Sequence, residues 1–382
     1  MSTASAVRPA SIDEAAAAVA ELSKQGARVR PVGAGSRAEW GGADADGTVT
    51  VHTGGLDQIV AHNPGDFTAI VQAGVPLAAL RQHLAREGQW LALDPPDLGG
   101  TVGGLVATAD SGPVRHRYGG VRDLVIGITV VLSDGSVARS GGTVIKNVAG
   151  YDLGKLFAGS YGTLGLVAQV ALRLHPLPAG TATVVARTGD PALLTAAVRA
   201  MSRHPLEAQA LDVAWQAGEG RLLVRFGGVT AAARAGHAAE LLSDVSGSPA
   251  ASRDVDVSVV PDDEEIWAAQ RAAQRGPAVV KVSALPTDLP AVIAAAGDAG
   301  LVSRAALGVC WLSFPAGADL AERVAAARAA LAPHPTVVLD GARLVTAPWP
   351  EPDAGVGALM RRVKERFDPT GTFRPGSYVG GI

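Results

Sequence analysis

The chain has one cysteine, Cys310, in 382 residues. That excludes an intrachain disulfide and a cysteine-held iron–sulfur cluster within this chain. A single thiol suits a reducing compartment, so the expected location is cytoplasmic. No signal peptide is expected, because residues 1–8 lack a basic n-region followed by an apolar h-region. Long hydrophobic runs are missing too. The alanine-rich stretches are broken by Arg, Glu or Pro, and none reaches the ~20 apolar residues of a membrane span. There is no surplus of positive charge: 33 Lys and Arg against 36 Asp and Glu give a net charge of -3, and no nucleic-acid footprint. In the second half, His204, His237 and His334 stand far apart, with no His-x-His pair and no Glu-flanked His. No metal site is expected from that spacing.

Glycine and buried apolar residues are plentiful. With 47 glycines, 48% hydrophobic and 18% charged residues, the composition is that of a well-buried globular protein. The length suits two domains. Three glycine-rich stretches lie in the first half: Pro31-Val-Gly-Ala-Gly-Ser36 running on to Trp40-Gly-Gly42, Gly99-Gly-Thr-Val-Gly-Gly104, and residues 146–165. Glycine permits positive φ and close backbone approach to a ligand. Three such loops next to strand-like sequence suit a long ligand held by main-chain amides, such as a dinucleotide cofactor.

Strands and helices alternate at the start. Ser11 and Glu14 read as a capping box for a helix over 15–25. Strands are expected over 27–32, 48–52, 68–73, 124–132 and 166–174, with a helix over 77–88 and an Asp134-Gly135 hairpin turn. After the break at His175-Pro-Leu-Pro178 the character changes. Strands are expected over 183–186, 210–214, 222–226, 255–260, 279–282, 309–313 and 337–339. Helices are expected over 191–202, 230–242, 262–275, 289–299, 319–331 and 356–367. That pattern predicts an antiparallel α+β layer.

The loops leave alternatives open. Gly33-Ala-Gly35 after a strand resembles a Rossmann turn, but residues 38–42 do not read as a helix, so no helix N-terminus receives a pyrophosphate. No Gly-Lys-Ser/Thr follows, which disfavours a P-loop. A nest of backbone N–H groups with the Ser36 hydroxyl remains, beside an ordinary turn. The second stretch reads as a ligand loop or a tight glycine packing site. The third adds Lys146, Asn147, Tyr151, Asp152 and Lys155, a polar cluster or a solvated loop.

In order and spacing, over residues ~5–178, these stretches resemble the FAD-binding domain of the vanillyl-alcohol-oxidase and p-cresol-methylhydroxylase (PCMH) type. The matching features are the Pro-x-Gly-x-Gly-Ser loop, Thr101–Gly104, Ser111-Gly112, Arg117-Tyr-Gly119, Asp123-Leu124, the Asp134-Gly135 turn and Gly159–Gly165. Lys146-Asn-Val-Ala-Gly-Tyr-Asp152 with Lys155-Leu156, and Phe367-Asp-Pro369 with Phe373-Arg-Pro-Gly376, narrow the resemblance to the FAD-binding (E-type) subunits of bacterial glycolate oxidase. Relatives commonly carry Asn-Pro-Gly at that end, where this chain has Arg374. The fold class implied is α+β: a two-subdomain PCMH-type FAD-binding domain (1–178), an α+β cap domain with antiparallel sheet (179–340), and a C-terminal helix and tail (341–382) returning to the FAD domain.

The resemblance implies bound FAD. Gly33, Ala34, Gly35 and Ser36 would bind its pyrophosphate. Pro95, Gly99, Gly100, Thr101, Gly103 and Gly104 would run beside the diphosphate and flavin. Ser111, Gly112, Tyr118 and Gly119 would line the same cofactor. Gly162, Thr163, Gly165 and Val167 would lie near the adenine end. Amides and hydroxyls can neutralise phosphates without a cationic side chain. The first loop has no His or Cys, Cys310 is remote, and His116 reads as an exposed, arginine-flanked loop histidine; FAD is expected to be non-covalent.

Oxidising a small 2-hydroxy acid to the 2-oxo acid needs a base, a hydride acceptor and a cation for the carboxylate. Arg115, Arg117 and Lys281 are candidate cations, and Tyr151 and Lys155 candidate groups near the flavin. No base stands out. The implied function is the FAD-binding subunit of a glycolate oxidase (glycolate dehydrogenase) complex, with a catalytic flavoprotein subunit and an iron–sulfur subunit as partners. Any peripheral membrane attachment would run through them. The histidine-poor second half keeps two alternatives open: an electron-relay or assembly flavoprotein, and a stand-alone enzyme for another substrate such as a sugar lactone.

Overall fold

The computed structural model describes residues 6–143, 150–245, 255–261 and 263–382. The first strands build a three-stranded parallel sheet, with Val49–His52 between Ala6–Val7 and Val29–Val32. The helix Ile12–Lys24 lies between two of them in sequence. Its cap is reciprocal: Ser11 Oγ accepts the Glu14 amide at 3.1 Å, and Glu14 Oε2 accepts the Ala10 amide at 2.9 Å. A five-stranded antiparallel sheet follows, in the order Ile59–Asn63, Thr68–Gln72, Leu166–Arg173, Val125–Val131, Val137–Gly141. Its core packs against the helices Leu77–Ala85 and Val102–Thr108 through Val71, Leu80, Leu84, Leu105 and Ile128.

The second unit is one eight-stranded, fully antiparallel sheet. Strand alternation gives it two apolar faces. Leu211, Val213, Val280 and Leu312 pack under the helices Pro191–Arg203, Ala231–Val245, Leu289–Ala296 and Leu320–Ala330. The opposite face meets Trp267 of the helix Glu264–Ala272 and, through Val279 and Trp311, Trp40 of the first unit.

The helix Ala354–Phe367 and the tail pack back on the first unit. Lys364 Nζ donates at 2.6 Å each to Thr163 O, Phe373 O and Asp368 Oδ2. Phe373 bridges Val29, so the tail runs alongside the first sheet. No described helix is long and apolar enough to cross a membrane.

Several elements depart from expectation, the edge strand Ile59–Asn63 among them. The second glycine stretch is partly helical: Thr101 caps Val102–Thr108, its Oγ1 accepting the Gly104 amide at 3.3 Å. Gly103 sits inside that helix because a Cβ there would lie 2.7 Å from Ala73 Cβ, so close packing outweighs its poor helix propensity. The strand Gly300–Arg304, absent from the sequence-based pattern, lies mid-sheet. Its Ser303 and Arg304 are buried polar residues that hide the apolar alternation.

Candidate functional site

The strand Val29–Val32 delivers the first loop against the second. A Cβ on Gly33 would lie 2.1 Å from Thr101 Oγ1, so glycine is required for the two loops to touch. Residues 36–41 are turns, with Ala38 N bonded to Gly35 O and Trp40 N to Arg37 O. Gly35 takes φ +76°, and the space above it is open. Arg37 pins the arrangement: its Nε and Nη2 donate to Asp110 Oδ2 at 2.9 and 2.7 Å, and its Nη1 to Ser36 Oγ at 2.9 Å. Both members of that pair are buried, with side chains 4% and 3% exposed.

The third loop closes the opposite wall. Tyr161 takes φ +54°, and its ring meets Trp349 at 4.9 Å and Tyr378 at 5.5 Å. Burial pushes its phenol far above the usual range. The tail adds a cation. Arg374 Nε donates to Asp44 Oδ1 at 2.8 Å and Nη1 to Tyr161 O at 2.9 Å, while Nη2 is buried with no acceptor. Arg30 shares Asp44, and burial holds its guanidinium below the usual value. A buried donor with no acceptor is costly. An anionic ligand in the cleft would supply that acceptor, and no atom lies within 4 Å of where a Gly35 Cβ would sit.

Ten of the sequence-predicted cofactor residues line this one cleft: Gly33, Ala34, Gly35 and Ser36; Thr101, Gly103 and Gly104; Gly162, Gly165 and Val167. Gly100 lies against it, since a Cβ there would meet Arg37 Nη1 at 2.5 Å. Thr163 sits behind it, its hydroxyl donating to Ser160 O at 2.7 Å. The rest lie elsewhere. Gly99 is exposed, and Pro95 lines a separate cleft. Ser111 O faces the second unit, accepting Gln274 Nε2 and Arg304 Nη2, both at 3.4 Å. Gly112 is pressed on Asp94, where a Cβ would come within 1.7 Å of its carbonyl oxygen. Tyr118 packs on His175 at 4.7 Å and accepts from Gln209 at 3.2 Å, and Gly119 abuts Asp123.

The candidate catalytic residues do not line the cleft. Tyr151 is 93% exposed, and Lys155 pairs with Asp152 at 3.1 Å on the surface. Arg117 pairs with Glu207 at 3.5 Å, while Arg115 donates to Ser111 Oγ at 3.4 Å. Lys146 and Asn147 lie outside the described residues. His116 belongs to the short helix Arg115–Tyr118 and is half-buried, correcting the exposed-loop reading; burial lowers its pKa. Cys310 is buried, its thiol pushed up to about 11 by burial. Among the described residues, no group of three His, Cys, Asp or Glu side chains is placed to hold a metal ion.

Sequence reasoning passed over Arg30, Arg37 and Arg374 as lining groups. Arg374 stood out only as a departure from Asn, and nothing local marks a residue of the tail as a neighbour of residue 44.

Residues 3–141 match the family described as FAD binding domain. Over 122 residues the chain is 40% identical to the glycolate oxidase subunit GlcE of Escherichia coli (strain K12), covering 31% of this chain and 35% of that protein. Over 206 residues it is 32% identical to a D-lactate dehydrogenase of Anaerostipes hadrus, covering 54% and 43%. The chain thus spans less than half the length of these two relatives. In fold it is similar to an alkyldihydroxyacetonephosphate synthase, with TM-score 0.70 at 16% identity over 97% of this chain and 76% of that one. By this match, residues 3–141 are similar to an FAD binding domain.

Proposed function

We propose that this chain is the FAD-binding subunit of a glycolate-oxidase-type complex that oxidises a small 2-hydroxy acid to the 2-oxo acid. The observation that carries the reading is the glycine-walled cleft with the unpaired Arg374 Nη2, in a chain similar to hydroxy-acid oxidoreductases. Arg374 and the amides of residues 33–36 would hold the FAD pyrophosphate. The Arg37–Asp110 pair would keep the two loops in register, and Trp40 and Tyr161 would shield them from water. When bound, FAD supplies the hydride acceptor. The division at 178 and 340 is part of this proposal, as are the partners, a catalytic flavoprotein and an iron–sulfur protein.

Anaerobic glycolate or D-lactate should bleach the flavin of the purified complex. A complex that stays yellow with both acids removes this reading. A relay role is the second reading, favoured by histidines that stay out of the cleft: His204 and His237 face each other at 5.9 Å, His334 faces Asp288, and none lines it. Bleaching that needs the partner subunit selects it.

FAD should be released by acid precipitation, because neither His116 nor Cys310 lines the cleft. Yellow colour retained in the protein pellet would show a covalent link.

A further inference from the structure

A second cleft lies where residues 90–98 meet the helix Glu264–Ala272 of the second unit. Its walls are mostly apolar, from Leu77, Leu80, Trp90, Leu93, Leu98 and Leu105. Five charged side chains interrupt them: Arg81, Asp94, Arg225, Glu264 and Arg271. Arg225 is committed to Asp263, at 2.8 and 3.2 Å. Arg271 Nη2 donates to Glu264 Oε1 at 2.5 Å, and its Nη1 stands 4.0 Å from Asp94 Oδ2. Arg81 is exposed at the rim and has no ion-pair partner among the described residues.

Asp94 is the unusual member. Its Oδ1 accepts the Val114 amide at 3.2 Å, but Oδ2 is buried and accepts nothing. Three charged side chains act on it from the elements packed around it: Arg271 on the helix, and Arg304 and Asp212 on the sheet. Burial pushes the carboxyl up to about 7, against the pull of Arg304 and Arg271. A carboxyl that exchanges its proton near neutral pH, inside a cleft and beside a cation, is set up for a ligand hydroxyl.

The geometry points to this cleft as a binding site for a small 2-hydroxy acid, with the carboxylate on Arg271 and Arg81 and the hydroxyl donating to Asp94 Oδ2. Guanidinium suits a carboxylate by shape and charge. A buried oxygen without a donor favours a ligand that brings a hydroxyl over one that does not. The inference rests on the hydroxy-acid reading above, since it takes its ligand class from it.

Calorimetric titration of the FAD-loaded complex with glycolate and with acetate, its deoxy analogue, tests the site. Wild type should bind glycolate about tenfold more tightly than acetate, the worth of one hydrogen bond to a charged group. Asp94→Asn, which can keep the Val114 contact but replaces the ligand-facing acceptor by an amide donor, should reduce that preference while still binding both acids. Arg271→Met should weaken both about equally. Equal affinity for the two acids in wild type, no binding of either, or an unchanged preference in Asp94→Asn would each overturn the site. Failure is separable from failure of the function: turnover of glycolate with an unchanged preference in Asp94→Asn sinks only the site. Hydroxyl-selective binding without turnover sinks only the oxidation.

Discussion

Arg37→Ala is expected to destabilise the chain by about 3–5 kcal/mol and to weaken FAD binding at least tenfold. Arg37 is buried and bonds to Asp110 through two nitrogens, so its removal leaves an uncompensated carboxylate in a low-dielectric site. The same change frees Ser36 Oγ and removes the guanidinium that packs on Gly100. The first two loops then lose their register, and that register is what would present their amides to a phosphate. Denaturant unfolding gives the stability and flavin fluorescence titration gives the affinity. An Arg37→Leu/Asp110→Leu double variant separates the two effects. Replacing both charges should recover much of the stability without recovering the affinity. Full affinity in Arg37→Ala would show that the loops hold their positions without the pair.

Asp94→Asn is expected to stabilise the protein at pH 8, by an amount of order 4 kcal/mol. The folded carboxyl titrates at about 7 against an ordinary value of 3.8. Between those values the folded chain keeps a proton that the unfolded chain has lost, so this group's contribution falls as pH rises through the window. Above about 7 the whole penalty is present; below about 4 it is absent. Asparagine has no such titration. Unfolding curves for both proteins should therefore diverge with rising pH and converge near pH 4. Asp212, pushed up to about 6 by burial, gives a slope of the same sign in both proteins. A variant less stable than wild type at pH 8 would mean that the attraction of Arg304 and Arg271 outweighs desolvation. A buried carboxyl that lowers stability above neutral pH is one whose presence calls for a functional reason.

The sequence was most readable where local chemistry decides structure. Ser11 with Glu14, the Asp134-Gly135 turn and the apolar run at Val125–Val131 each carry their signal within a few residues. The glycine stretches pointed to the cleft because glycine is required where backbones touch, as at Gly33. At Gly112 and Gly119, outside that cleft, glycine is needed for packing on Asp94 and Asp123. The strand Gly300–Arg304 was hidden because its Arg304 is neutralised by Asp212, a partner 92 residues away. Asp94 lies in a cleft against the helix Glu264–Ala272; the helix itself was expected, but no local pattern announces its packing on residues 90–98.

The clasp made by the tail bears on how the protein comes to be assembled. Arg374 reaches Asp44 across 330 residues, and Lys364 reaches Thr163 across 201. Contacts of such high sequence separation form late, after the entropy of closing long loops has been overcome. During synthesis the glycine loops emerge early, yet the wall facing them is added only when residue 374 has left the ribosome. Cofactor capture in this cleft would thereby wait until residue 374 is made, and an excised segment 3–141 would lack that latch.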